Sequence, residues 1–398
     1  MKEERLSIKD KIIIGLLFLF AFFSENKEMN SIMLYSAVPM AFLLSITNKT
    51  GYRKPYFIKG VIVLYAWILF TSIFAINHDA AFSELKKSLG VVLLIFTVYN
   101  TAKSEKTLPW LYGVWIIYYF AMIWFAYNLF ISGQFIMGEE RLASEKFNPN
   151  ALGYYTFFFT FVVFVLPHII HSEFWSRFLH ITFLLLIPWT FLLAIVGGSR
   201  QILLIQIPLF AVLLYTRYWK KEGGLKRSHK VLIVFVLLGP ALVGYNRVSD
   251  IYSNSILKAR SEKSIGEDER TILFNDAVKV GLEHPVFGVG PGNYARLSVL
   301  QLYSHNTYSE LFANSGFIAL LIYILIEVLF LLRQFKRYRR TRDPMFLSFA
   351  VFGFFYILDS AFNVFYIVIW LFPFFVLVAS HSELYYNKYY KDKKVIVK

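Results

Sequence analysis

Apolar runs of membrane-crossing length recur along the whole chain, and nothing else constrains its fold as strongly. A helix that crosses a bilayer needs about 20 apolar residues, because each residue rises about 1.5 Å and the hydrocarbon core is about 30 Å thick. Runs that meet or approach this length lie near 12–24, 31–46, 58–76, 88–101, 108–131, 151–171, 178–196, 201–217, 231–245, 311–332, 346–358 and 361–379. They predict an all-α polytopic membrane protein with about twelve transmembrane helices. The runs at 12–24, 88–101 and 346–358 are short enough to be re-entrant. The last two runs cannot form one helix, since 346–379 would reach about 50 Å, so a turn is expected near Asp359 and Ser360. Composition agrees: 57% of residues are hydrophobic and 17% charged, against about 25% charged in a soluble protein.

The N-terminal stretch MKEERLSIKDKIIIGLLFLFAFFS sets basic residues before a short apolar run. No small-residue cleavage site follows, so it reads as a retained first helix. With the N-terminus in the cytoplasm, most loop lysines and arginines fall inside, led by KKEGGLKRSHK at 220–230 and RQFKRYRRTR at 333–342. These clusters read as positive-inside anchors rather than as a nucleic-acid surface. The resulting plan is a helical bundle over 1–245 with about nine spans, one large extracytoplasmic loop over 246–306, further membrane helices over 307–380 and a basic cytoplasmic tail over 381–398. The remaining polar material faces outward.

Three outward segments carry candidate chemistry. In LLAIVGGSRQILLIQ, Arg200 stands between two apolar runs. A charge at such depth faces a bundle interior or a wet cavity by default, and a permanently charged five-donor guanidinium suits phosphate oxygens. Snorkelling to lipid headgroups is the competing explanation. In DERTILFNDAVKVGLEHPVFGVGPGNY, Leu273, Phe274, Ala277, Val278, Gly281 and Leu282 recur at helical spacing, which predicts an amphipathic helix along the membrane surface. Arg270 falls in its first turn, where the helix dipole disfavours a cation unless an anion joins it; Asp268 and Glu269 could be that anion. Gly288, Gly290 and Gly292 then form a tight turn back toward the bilayer, distinct in spacing from a dinucleotide loop. In GEERLASEKFNPNALGYY, Asn148-Pro149-Asn150 signals a turn and Arg141 precedes it as loop charge or as a further anion contact.

His305 is the proton-transfer candidate of this outward set, since an imidazole titrates near pH about 6.5. It stands in QLYSHNTYSELFANSGFIALLIYI, beside Asn306 and Glu310, at the entry to an apolar run. A helix-capping or interfacial histidine is the alternative. No metal-ligand pattern, G-x-S-x-G or phosphate-binding loop occurs, and the chain has no cysteine, which excludes disulfides and thiolate chemistry. No metal and no cofactor is therefore expected.

The pieces FNPNALGYY, GGSRQILL, DERTILFNDAVKVGLEHPVFGVGPGNY and HNTYSELFANSGFIALLIYI, in this order from about residue 147 to 324, resemble the bacterial O-antigen ligase and O-antigen polymerase family. The resemblance implies a helical bundle capped by an extracytoplasmic loop, related to the GT-C-like membrane glycosyltransferases, in the cytoplasmic (inner) membrane of a bacterium. It implies metal-independent transfer of a glycan from an undecaprenyl-diphosphate-linked oligosaccharide donor to a saccharide or lipid-linked saccharide acceptor. Flippase and chain-length regulator would be neighbours in the pathway. Carried over, Arg200 and Arg270 would hold the diphosphate with Arg141 as a further contact, His305 would activate the acceptor hydroxyl, and Asn306 and Glu310 would position the site. Asp359, at the turn before the last run, would orient groups nearby. The sequence departs from the family at ANSGF, where members often carry an acidic residue before the glycine and a second glycine after it, a change expected to touch helix packing more than chemistry.

Polymerisation of surface polysaccharide repeat units is the favoured reading, and ligation of a finished glycan to lipid A core or another acceptor is its alternative. Transport is the weakest of the three. It would need charges paired in mid-span, for which Glu327 with Arg333 or Lys336 is the one candidate, and an internal repeat, which the chain lacks.

Overall fold

The computed structural model describes residues 6–47, 56–132, 151–170, 172–197, 200–216 and 269–390. Among these, every regular element is a helix. In chain order they are α1 (Ile8–Phe22), α2 (Lys27–Tyr35), α3 (Ala37–Ile46), α4 (Tyr56–Thr71), α5 (His78–Thr101), α6 (Leu108–Ile131) and α7 (Ala151–Val165). There follow α8 (Glu173–Gly197), α9 (Arg200–Leu214), α10 (Glu269–Glu283), α11 (Tyr294–Leu297), α12 (Thr307–Thr341), α13 (Pro344–Ser360) and α14 (Phe372–Tyr390). Six stretches of the described residues are long and apolar enough to cross a membrane, and α13 and 204–214 are shorter apolar helices. The count of twelve spans is not reached among the described residues. The run at 12–24 becomes a 15-residue helix. The run at 88–101 is the second half of α5, whose first half carries Asp79, Glu84, Lys86 and Lys87. The run at 231–245 lies outside the described residues.

The helices fall into two compact units, one holding α3 to α5 with α10 to α14, the other α6 to α9. In the second unit α7 is buried along its whole length except at Tyr154. Tyr119 of α6 stacks on Phe159 of α7 at 4.2 Å, and Trp189 of α8 donates to the Tyr119 hydroxyl at 2.8 Å. Gln206 of α9 donates to the Gly153 carbonyl at 3.1 Å.

The first unit is organised by a break in α12. Its 35 residues form two arms, 307–315 and 317–341, joined at Gly316 with φ 76 and ψ −179. That conformation is essentially closed to any other residue. The break is sharp. Tyr308 and Glu327, 19 residues apart, hydrogen bond at 2.9 Å, whereas in a straight helix their Cα atoms would stand about 28 Å apart, beyond the reach of any two side chains. The short arm therefore folds back along the long one. The run at 311–332 lies within a candidate membrane span and is divided by the break, 311–315 in the short arm and 317–332 in the long one.

A break costs backbone hydrogen bonds, and in an apolar setting each must be replaced from within the protein. The glycine-rich turn replaces them. Val289 N–H donates to the Ala313 carbonyl at 2.8 Å and Gly290 N–H to the Asn314 carbonyl at 2.9 Å, while Phe317 N–H donates to the Pro285 carbonyl at 2.8 Å. A methyl group on Gly316 would run into the Val286 carbonyl, and one on Gly288 into the Asn314 backbone. The same turn is tied to the start of α5: Ile76 N–H donates to the Val289 carbonyl at 3.0 Å, and Asn77 N–H to Asn293 Oδ1 at 2.8 Å. α10 packs on the short arm through Leu273, Ala277 and Gly281, all buried, with Phe312 against Gly281. Phe274 and Leu282, expected on the same stripe, are exposed by 40% and 67%, so the apolar face splits into a docked side and an open edge.

After α13 ends at Ser360, residues 361–371 are irregular although 363–366 and 370–371 are buried. The expected span at 361–379 is thus displaced to a helix over Phe372–Tyr390. The reason is that side chains from other elements take the carbonyls here. Asn306 Nδ2 donates to Ala361 O at 2.8 Å, Thr307 Oγ1 to Asn363 O at 2.6 Å, and the Tyr65 hydroxyl to Tyr366 O. The stretch 381–398, read as a basic tail, is helical through Tyr390, and 391–398 lies outside the described residues.

Gly316→Ala is expected to destabilise the protein by at least about 1–3 kcal/mol from backbone strain alone, read as a lower midpoint in a thermal unfolding scan in detergent. Gly15→Ala, where an added Cβ meets nothing within 4 Å, is the control and should leave the midpoint where it is or raise it.

Candidate functional site

The site builds up from the three residues before the short arm. The Ser304 hydroxyl donates to the Asn306 carbonyl at 2.8 Å and accepts from Asn306 N–H at 3.2 Å. One side chain thereby closes 304–306 into a tight turn, and His305 at its apex is held at φ 56, a left-handed conformation that costs a non-glycine residue about 1–2 kcal/mol. The His305 ring is half-buried and lies against Tyr303, 4.1 Å between ring centres. Its neighbour Asn306 caps the helix: Oδ1 accepts from Tyr308 N–H at 2.9 Å and Ser309 N–H at 3.0 Å. Both ends of the Asn306 amide are thus engaged, one on the helix and one on Ala361.

Glu310 points back beneath the turn. It is 3% exposed, and it accepts from Ser304 N–H at 2.6 Å and from Asn314 Nδ2 at 3.0 Å. Asn314 in turn accepts from Tyr294 N–H at 2.9 Å and is reached by the Tyr366 side chain. The Tyr294 hydroxyl donates to the Leu273 carbonyl at 2.7 Å. Burial, with the Asp276 carboxylate beside it, holds that phenol well above its ordinary range, so it stays a neutral donor. One chain of hydrogen bonds therefore runs from α10 through α11 and the short arm to the turn that carries His305. Glu84 of α5, buried and paired with Lys87 at 3.1 Å, adds a second carboxylate whose charge is felt at Glu310. Asp359 closes the other flank: it is buried and accepts from Asn363 Nδ2 at 3.1 Å, beneath the carbonyl that Thr307 holds.

The structure thus brings His305, Asn306 and Glu310 together. Arg270 lies in the first turn of α10, half-buried. Arg200 is the first residue of α9, in the second unit; its side chain lies outside the described residues, as does all of Arg141. Both described arginine positions open a helix, where backbone N–H groups and the dipole favour an anion. Glu327 does not pair with Arg333, as the transport reading required: Arg333 binds Glu383 at 3.0 Å, and Glu327 is held by hydroxyl groups. Among the described residues, no three histidine, aspartate or glutamate side chains converge as metal ligands.

Residues 181–324 match the family model described as O-Antigen ligase. Over this stretch the chain resembles an O-antigen ligase domain. The stretch begins in α8, ends in the long arm of α12 and contains Arg200, Arg270, His305, Asn306 and Glu310. The break at Gly316 and the glycine-rich turn that completes it both fall inside. Similarity to O-antigen ligases over this stretch points to a membrane enzyme of polysaccharide biosynthesis that transfers glycosyl groups and acts on lipid-linked saccharides. No curated protein matches the chain.

Sequence reasoning missed Ser304, Asn314, Asn293, Glu84 and Tyr366. Asn314 was within reach: a Ser-Gly pair inside a helical run is a kink signal, and a polar residue beside a kink is placed to bond the freed backbone. The segment ANSGF supplies both the break, at Gly316, and the amide that orders Glu310. Asn314→Ala is expected to leave three partners, Glu310, the Tyr294 N–H and Tyr366, short of a hydrogen bond and to cost about 3–9 kcal/mol, at about 1–3 kcal/mol each. Thermal unfolding beside Asn128→Ala, at an exposed position, tests this.

Proposed function

We propose that the protein is a metal-independent glycosyltransferase of the bacterial cytoplasmic membrane, with its site on the extracytoplasmic face of a GT-C-like bundle of about twelve spans. It moves a glycan from an undecaprenyl-diphosphate donor to a sugar hydroxyl and polymerises surface polysaccharide repeat units. The single observation that carries the reading is the coincidence of the O-antigen ligase match with the turn that presents His305.

In this mechanism His305 accepts the proton of the acceptor hydroxyl. The oxygen attacks the anomeric carbon of the donor sugar from the face opposite the diphosphate. The bond from that carbon to the diphosphate oxygen breaks with its electron pair, and the configuration inverts. Arg200, Arg270 and Arg141 offset the charge that develops on the leaving diphosphate, the largest catalytic effect available to fixed cations. Glu310 and Asn306 act as positioning residues: their hydrogen bonds fix the turn, and through it the imidazole. The helix-opening positions of Arg200 and Arg270 support the anion role. Ligation of a finished glycan to lipid A core or another surface acceptor shares donor, base and leaving group, and differs only in what is bound as acceptor.

Purified protein given an undecaprenyl-diphosphate oligosaccharide repeat, in EDTA and without a second acceptor, is expected to yield a ladder of longer glycans and free undecaprenyl diphosphate. His305→Ala should abolish the ladder, and Arg270→Ala should slow it by about 10²–10³-fold. Turnover only after an acceptor is added would make the enzyme a ligase. A ladder undiminished in His305→Ala would remove His305 from the chemistry.

A further inference from the structure

Glu327 is a carboxyl group that the mechanism above does not use. It lies on the long arm of α12, 1% exposed, and the long arm places it about 16 Å from the break. Its surroundings are hydroxyl groups. Oε2 is 2.9 Å from the Tyr308 hydroxyl, and Ser360 Oγ is 3.1 Å from Oε1. The Tyr323 hydroxyl is 3.4 Å from Ser360 Oγ and 3.5 Å from the Tyr356 hydroxyl.

The protons can be assigned by counting. The Tyr308 hydroxyl is also 2.9 Å from the Ile357 carbonyl, which can only accept. A phenol has one proton. If Tyr308 donates it to Ile357, the contact with Glu327 needs its proton from Glu327. A carboxylic acid satisfies every group: Oε2–H donates to Tyr308, Oε1 accepts from Ser360, and Tyr308 donates to Ile357. A carboxylate would leave two acceptors competing for one phenol proton in a buried setting, where an unpaired charge is costly.

This group ties the site together. Tyr308 is the second residue of the short arm, and its N–H is bound by Asn306 Oδ1. Glu327 is on the long arm, and Ile357 and Ser360 are on α13. We propose that Glu327 acts as a neutral carboxylic acid and a positioning residue, donating to Tyr308 and so locking the short arm and its His305 turn against the long arm and α13. Its role in turnover rests on the His305 reading above; its protonation and its contact with Tyr308 do not.

Two readouts test this. In the infrared difference spectrum of wild type minus Glu327→Gln at neutral pH, a protonated carboxylic C=O band is expected, and Tyr308→Phe should shift it. A carboxylate band in its place would overturn the proposal whatever the enzyme does. In the glycan assay, Glu327→Leu is expected to lower kcat by about 10- to 100-fold with little change in KM. Glu327→Gln, which keeps a donor and an acceptor, should recover most of that loss. Tyr308→Phe combined with Glu327→Leu should be no worse than Glu327→Leu alone. Glu327→Gln as inactive as Glu327→Leu, with both variants unfolding at the wild-type temperature, would overturn the donor role and make the ionisable acid itself necessary. If His305→Ala were fully active, the function reading would fail while the infrared result still stood or fell by itself.

Discussion

Two hydrogen bonds from Val289 and Gly290 to the carbonyls of Ala313 and Asn314 hold the irregularity around which the rest of the first unit is arranged. In an uninterrupted helix those carbonyls would be met four residues on. In an apolar environment nothing else would meet them, and each orphan would cost several kcal/mol. The break at Gly316 therefore exists only because the glycine-rich turn comes close enough to supply the missing donors. Everything that reaches the short arm follows from it: the docking of α10, the tie to α5 through Asn293, and the clamp from 361–365.

Charge placement follows the same logic. Glu310, Asp359 and Glu327 are all buried, and each hydrogen bonds to neighbouring polar groups in the contacts described above. Opposite charges meet in other pairs, as between Lys87 and Glu84 at 3.1 Å and between Arg337 and Glu383 at 2.7 Å. Around His305 the protein spends its buried acids on orienting backbone and hydroxyl groups.

Much of this was legible in the sequence, unevenly. Helix identity was, because long apolar runs and the spacing of Leu273, Ala277 and Gly281 carry it. The turn at Asp359 and Ser360 was, because a continuous helix would be too long for a bilayer. The glycine turn was recognised, but its partner was not, since nothing in GVGPG names the carbonyls it will bind some 25 residues later. The fold-back of 307–315 escaped for a related reason: hydropathy reads composition, and a folded-back arm has the same composition as the start of a span. Asn306 and Glu310 were legible as residues that position the site, but not how they do it, because one sequence does not show which backbone groups a capping amide or a buried acid will bind.

The clamp on the short arm also orders events in time. Asn306 and Thr307 are held by the carbonyls of Ala361 and Asn363, which the ribosome makes more than fifty residues later. While those residues are still in the exit tunnel, the nascent chain already contains His305, Glu310 and the glycine turn, yet nothing pins the short arm in its recess. The geometry around the imidazole is completed only when α13 has been inserted and 361–365 has come to rest against it. A chain arrested or clipped after α12 would contain His305, Asn306 and Glu310 and still lack the contacts that pin the short arm, so the site forms only after residues 361–365 have been made.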